Sequence, residues 1–331
     1  MTSLPVLSYV VNTRNKLQFL RIAMQRLLAH AGVDEEIVVV DGGSTDGSAE
    51  FLADLRSAGK IQQFLSEPDV GEAHGWNKGL LLAQGTLIKI ITDDDVFHYP
   101  GIRACRQYML EHSEIDWLGS DIGVLGASGE LEIKGATKWY QQWECRSNPA
   151  PFEFCGITLL LRRSSLPLLG LFDTGSAAVD AEFSARNSCH TSKANLGWYA
   201  GALAVHRVTQ TSGVVTRSRQ LDSTRLRINA EYSNYDSATD LFKNAVTQAK
   251  AGLSMLKVHV KDGLRRIEFL YGIFRSVFPV RPNGVWLDND ESRVVECERW
   301  MTEYSRRHPS RFYVNIRRPP VGESATKYQL S

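Results

Sequence analysis

Apolar and polar positions along the first 115 or so residues follow two periods in turn. Short runs rich in β-branched residues, 6–11 (VLSYVV), 35–41 (EEIVVVD), 61–67 (IQQFLSE) and 86–92 (TLIKIIT), read as buried strands. Between them, 16–32, 47–59 and 74–85 carry apolar residues at helical spacing, the first closing on Gly32. A β-α-β-α order predicts a mostly parallel sheet with helices on both faces. Ligands of such sheets sit beyond the carboxyl ends of the strands. Each predicted strand end carries a polar cluster: Asn12 to Asn15, Asp41 to Gly47, Glu67 to Gly71, and the run Asp93, Asp94, Asp95. The four should converge on one edge.

Beyond residue 115 the pattern changes. Residues 116–135 read as two strands around the turn Ala127-Ser128-Gly129. Trp139, Tyr140, Trp143 and Phe152 mark an aromatic loop region. A strand is expected over 156–163, a helix over 178–189 and the last sheet strand over 201–208. From about 216 the chain reads as helical and charged, near 220–233, 236–260, 262–278 and 289–308. The polar, proline-bearing tail 309–331 is expected to be poorly ordered. The expected division is therefore 1–215, a ligand-binding and catalytic domain, and 216–331, a helical C-terminal extension.

Bulk properties narrow the class. The chain has 331 residues and a net charge of +1, which gives no case for nucleic-acid binding. Its five cysteines are scattered without a CxxC pair, unlike a zinc site or a disulfide framework. The start lacks the features of a signal peptide, and no apolar run is long enough to span a bilayer. A cytoplasmic setting is the expectation.

Three adjacent carboxylates at a strand end are costly unless positive charge sits beside them. A hard divalent cation with oxygen ligands, Mg²⁺ or Mn²⁺, suits them, bridging one or two carboxylates to a ligand's phosphates. Lys89, on the strand itself, is the basic residue close in sequence. The plainer alternative is a solvated acidic loop in which an aspartate caps the helix that follows.

The segments VVNTRNK (10–16), EIVVVDGGSTDGS (36–48), EPDVGEAHGWNKGLLLAQG (67–85), TDDDVFHYPG (92–101) and RRSSLPLLGLFDTGSAAVDAEF (162–183) resemble family 2 glycosyltransferases of the GT-A fold. The likeness runs from about residue 4 to 210, roughly two thirds of the chain. It implies a Rossmann-like, mostly parallel sheet flanked by helices, and a nucleotide-diphospho sugar, UDP-linked by preference, as donor. It places Thr13, Arg14 and Asn15 around the nucleoside, and Asp41 with Gly42 at the base or ribose. Asp41 also reads as a turn initiator, with Ser44 or Asp46 capping the next helix. Asp69, Asn77 and Lys78 match a donor-contacting segment, where Lys78 reads equally as a surface residue. His74 departs from a related subgroup's Asp. Asp95, with Asp94 second, is implied as metal ligand and Asp93 as a ribose contact.

The same likeness makes Asp180 the general base, with Glu182 turned elsewhere because residues two apart on a helix diverge. Asp180 also reads as an N-terminal helix aspartate favoured by the dipole. Asp173 reads as a turn residue. His206 and Arg207 are implied to approach the diphosphate. Trp139, Tyr140 and Trp143 form either an acceptor platform or buried packing.

In the extension, 263–282 pairs a broad apolar face with Arg265, Arg266, Arg275 and Arg281. It reads as a helix packed on its own domain, on a second copy in a homo-oligomer, or on a membrane surface. Peripheral membrane contact would suit a lipid-linked glycan acceptor. The implied activity is inverting, metal-dependent transfer of a sugar to an acceptor hydroxyl, in bacterial surface polysaccharide or glycoconjugate synthesis. The rivals are a nucleotidyltransferase on a similar sheet, which would want glycine in the NTRNK loop, and a non-catalytic nucleotide- or glycan-binding module. A NAD-dependent enzyme is disfavoured, since no GxGxxG follows the first strand.

Overall fold

The computed structural model describes residues 4–126, 129–134, 154–189, 191–208, 291–307 and 311–318, with single positions between 221 and 232. The expected helices over 236–260 and 262–278, the segment 263–282, and Trp139, Tyr140, Trp143 and Phe152 lie outside these residues.

Four parallel strands form one half of the sheet: β1 (Leu7–Thr13), β2 (Glu35–Asp41), β3 (Gln63–Ser66) and β4 (Leu87–Thr92), in the order β3-β2-β1-β4. Register aligns Thr13 with Asp41 and Asp41 with Ser66, and sets Asn12 beside Thr92, so the strands finish level. Both faces are covered, which is why these strands are near-continuous apolar runs. On one face Leu7, Tyr9, Val11, Ile37 and Val39 pack beneath α1 (Leu17–His30), α2 (Ser48–Ser57) and α4 (Tyr99–Glu111). On the other, Val10, Val38, Ile88 and Ile90 meet α3 (Glu72–Leu82). That approach is close. A methyl at Gly79 would stand 2.2 Å from Val10 Cγ1, and one at Gly75 would stand 2.2 Å from Asn12 Oδ1.

The other half of the sheet is mixed. β5 (Val96–Phe97) follows the aspartate run, and β6 (Trp117–Leu125) and β7 (Leu131–Lys134) form the expected hairpin. β8 (Leu160–Arg162) lies antiparallel to both β4 and β6, and β9 (Leu196–Arg207) is parallel to β6. The strand expected over 156–163 is shorter. Gly156–Thr158 is a 3-10 turn, because the buried Lys89 ammonium draws the Ile157 and Leu159 carbonyls to itself. The strand expected at 201–208 is longer and is not the last. β10 (Phe312–Asn315), in the tail expected to be disordered, pairs antiparallel with its first residues. The Phe312 ring stacks on Tyr108, with centroids 3.8 Å apart, and fixes that edge.

Three further helices complete the described chain: α5 (Leu166–Leu169), α6 (Val179–Ser188) and α7 (Glu291–Arg307). α6 buries Val179 and Phe183 in the α3-side core. α7, expected near 289–308, buries Val294, Cys297 and Met301 against Val96, Leu125 and Val205. Arg26 of α1 holds it through Glu291 at 3.3 Å and Glu298 at 3.5 Å. Among the described residues no helix is long and apolar enough to cross a membrane.

Candidate active site

The carboxyl ends of β1, β2, β3 and β4 bring their loops together. Asn15 takes a left-handed φ of 53°, which Asn tolerates better than most residues. Its backbone N–H donates to Ser44 Oγ and its Oδ1 accepts from Thr45 N–H, each at 2.8 Å, joining the first two loops. The Asp69 carboxylate lies on the Gly42 backbone, where a Cβ would stand 2.3 Å from its Oδ2, so only glycine fits there. Arg14, more than half exposed, pairs with Asp69 at 3.6 Å. Asp41 is fully buried. It accepts from Ser44 N–H, Ser44 Oγ and Ser66 Oγ, and so frames the turn between the second and third loops.

The aspartate run sits over these loops with all three residues buried. Asp93 accepts from Thr13 Oγ1 at 2.7 Å and lies 3.4 Å from Lys16 Nζ, while Asp94 is bonded directly by Lys16. Thr13 and Asp93, the residues the likeness places at the nucleoside and ribose, are thus bonded to each other across the first and fourth loops. Asp95 accepts from Thr92 Oγ1 at 2.7 Å, from His206 Nδ1 at 3.0 Å and from the Arg207 N–H at 3.0 Å. Pairing of Val96 and Phe97 with Val205 and Ala204 sets Asp95 beside His206. Arg207 is buried, and its Nε donates to the Asp94 carbonyl at 2.5 Å. It braces the acidic turn through that bond.

Burial and mutual repulsion set the charges here. Burial raises Asp93 and Asp94 above the usual carboxylate range, against the pull of Lys16. Burial opposes the Asp95 charge too, but His206, Thr92 and the Arg207 N–H hold it below that range. Burial likewise opposes the His206 and Lys16 cations, yet Asp95 lifts His206 to about 9 and Asp93 with Asp94 raises Lys16 further.

Asp180 enters from α6. Its Oδ2 accepts the Gly156 N–H at 3.0 Å and its Oδ1 the Ala181 N–H at 2.9 Å. Its charge reaches His206, and Cys155 feels both Asp180 and Asp95. Glu182 turns away, bonded to Arg186 at 2.8 Å and to the Tyr232 hydroxyl at 3.0 Å. Asn77 is elsewhere. Its amide exchanges hydrogen bonds of 2.8 and 2.9 Å with the Phe172 backbone. Lys78 bonds the Pro68 carbonyl and Glu67, bracing the third loop. His74 Nδ1 accepts the Val70 N–H within that loop.

The family model described as Glycosyl transferase family 2 matches residues 8–164, just under half of the chain. Over these residues the chain is similar to that family. The chain is similar to an uncharacterized glycosyltransferase of Nostoc sp., 30% identical over 93 residues, which are 28% of this chain and 29% of that protein. It is also similar to the glycosyltransferase GlyG of Streptococcus pneumoniae, 30% identical over 107 residues, 32% of this chain and 36% of the relative. The match thus spans about a third of the length of these curated relatives. Two solved structures share the fold. PcManGT of Pyrobaculum calidifontis, a mannosyltransferase in complex with GDP-Man and Mn²⁺, superposes with a TM-score of 0.54 at 15% identity, covering 90% of this chain and 88% of its own. S. aureus TarS 1-349 in complex with UDP gives 0.52 at 15%, covering 94% and 96%. The architecture is therefore the GT-A fold expected from the sequence.

The chemistry of the donor set suits a hard cation. Its groups are carboxylate oxygens, the ligands such a cation prefers. Among the described residues no three His, Cys, Asp or Glu side chains form a metal cage by themselves. A cation here would complete its shell with ligand oxygens and water, as Mg²⁺ and Mn²⁺ do at phosphates. Sequence reasoning missed Lys16, which lies inside a motif it singled out. One signal was available: a lysine just before a helix, where Ser, Thr, Asp or Asn is favoured.

Proposed function

We propose that the chain transfers a sugar, with inversion, from a nucleotide-diphospho sugar to an acceptor hydroxyl. The supporting observation is that Asp180, held by the Gly156 N–H, lies near enough for its charge to act on His206, which pairs with Asp95 at the end of the fourth parallel strand. Asp180 would take the acceptor's proton. The oxygen would then attack the anomeric carbon from the side opposite the diphosphate, forming one C–O bond as the other breaks. A carboxylate suits that work when its surroundings favour proton uptake.

Asp95 and Asp94 would hold Mg²⁺ or Mn²⁺, which when bound offsets charge on the departing diphosphate. His206 orients Asp95. Gly42, Asp69 and the half-exposed Arg14 remain the candidate nucleoside wall. A UDP donor is favoured. A glycan or lipid-linked glycan acceptor of bacterial surface polysaccharide synthesis is the proposed setting, with 1–215 as the catalytic unit and 216–331 as an extension for packing, oligomerisation or acceptor and membrane contact, its α7 and β10 packing on the sheet.

A thermal-shift series with UDP, GDP and dTDP, each with and without Mn²⁺, tests this. A ligand that binds only the native state raises apparent stability. UDP with Mn²⁺ should give the largest shift, and Asp95→Ala should remove its metal-dependent part. No shift with any nucleotide, or the full metal-dependent shift in Asp95→Ala, would sink the proposal.

A further inference from the structure

Lys16 breaks a local rule. It is the residue before α1, where the backbone N–H groups of the helix carry partial positive charge and a cation is disfavoured. Its side chain makes no capping bond. The cap comes instead from another loop, since Asp46 Oδ2 accepts the Leu17 N–H at 2.9 Å. Released from that task, the Lys16 ammonium bonds Asp94 and lies 3.4 Å from Asp93. Its side chain is 21% exposed, while those of Asp93 and Asp94 are almost wholly buried. Conflicts between local preference and observed placement are expected at functional positions.

The charge balance gives the conflict a purpose. Buried carboxylates without a counter-charge are costly. Lys16 supplies that charge to Asp94 and Asp93, and Asp94 is one of the two carboxylates assigned above to a cation. We propose that Lys16 is a resident counter-ion that a divalent cation must displace. The displaced ammonium then turns to the donor's diphosphate. This rests on the donor and metal class argued above. A cation taken by Asp94 and Asp95 leaves Lys16 only Asp93, at 3.4 Å, whereas a diphosphate bound with the cation gives the ammonium a second anionic partner. Metal and nucleotide should therefore bind cooperatively, with reciprocal coupling.

The test is Mn²⁺ affinity, read by electron paramagnetic resonance of free Mn²⁺, for the full chain with and without UDP. Wild type should bind Mn²⁺ weakly alone and more tightly with UDP. Lys16→Met should bind Mn²⁺ alone about ten-fold more tightly, and UDP should then improve Mn²⁺ affinity less, within the usual range of coupling. Lys16→Gln repeats the measurement should the methionine variant fold poorly. Lys16→Arg, which keeps the charge, should behave like wild type. A purely structural lysine would not tighten Mn²⁺ binding when removed. Unchanged or weaker Mn²⁺ affinity without UDP in both neutral variants would overturn the inference, even if UDP and Mn²⁺ still bind together. Absence of Mn²⁺ binding in every chain, with or without UDP, would overturn both the inference and the metal-dependent reaction.

Discussion

The two halves of the sheet contribute different things. The parallel half, β3-β2-β1-β4, is built from consecutive strand–helix units, and its level strand ends supply Lys16, Asp41, Asp69 and the aspartate run. The mixed half, β6, β8, β9 and β10, is knitted by long returns of the chain and supplies His206, Arg207 and, through α6, Asp180. Local repetition builds the anion-facing edge, and distant pairing brings in the groups that would act on it. Asp95 is the joint, at the end of one half and bonded to the β9 end of the other.

The division of labour breaks most sharply at Asp180. Asp180→Asn should lower turnover on the order of 10²- to 10⁴-fold, the usual worth of a positioned general base. The thermal shift by UDP and Mn²⁺ should persist. Equal loss of nucleotide binding would mean that the halves do not divide the work. Next comes Trp117 on β6, which packs on Phe154 at 4.5 Å and Phe183 of α6 at 5.8 Å. Trp117→Ala should cost about 3–5 kcal/mol in urea unfolding, as large core truncations do. An unchanged urea midpoint would show that this half is not packed as described.

Lys89 joins the halves at their seam, on β4 but bonded to carbonyls that precede β8. Burial lowers its ammonium to about 7 in the folded chain. The unfolded chain keeps a value near ~10.4. Between these values the unfolded state holds the extra proton, so stability rises with pH across that window. The contribution is lost as pH falls from the upper value to the lower. Buried tyrosine and cysteine groups titrate in the same range, so the difference between wild type and Lys89→Met isolates the lysine. Wild-type stability should gain on the variant's between pH 7 and 10, and parallel curves would contradict a neutral Lys89.

The comparison also separates what the sequence made legible. The parallel half announced itself because strand and helix periods alternate within short windows, and its loops could be named by position. The hairpin and α6 were readable for the same local reasons. What escaped depended on partners far along the chain. Lys16 meets Asp94 across 78 residues, and Asn77 meets Phe172 across 95. The strand expected at 156–163 lost its first residues to a buried lysine on a neighbouring strand. The tail gained β10 because Phe312 finds Tyr108 and Tyr199, both remote in sequence. Strand and helix positions are local features, but the direction of a side chain is set by neighbours that a linear pattern does not display.

The mildest perturbation tests whether the parallel edge is a unit in its own right. Asp46 accepts the Leu17 N–H of α1 through Oδ2, and the Ser48 N–H of α2 at 3.1 Å through Oδ1. One carboxylate thus caps two consecutive helices and fixes the residue just ahead of α1, which is Lys16. Asp46→Ala should cost about 1–2 kcal/mol, the upper part of the range for a lost cap. Asp46→Asn should cost less than ~1 kcal/mol, because Asn caps nearly as well. The loss belongs to the parallel half, so urea unfolding should register it while the Trp117-dependent packing of α6 is untouched. The alanine variant should also loosen Lys16 and tighten Mn²⁺ binding in the absence of UDP, in the same direction as Lys16→Met but by less. An effect of Asp46→Ala larger than that of Trp117→Ala would reverse the picture, making the edge rather than the mixed half the stability-limiting part of the sheet.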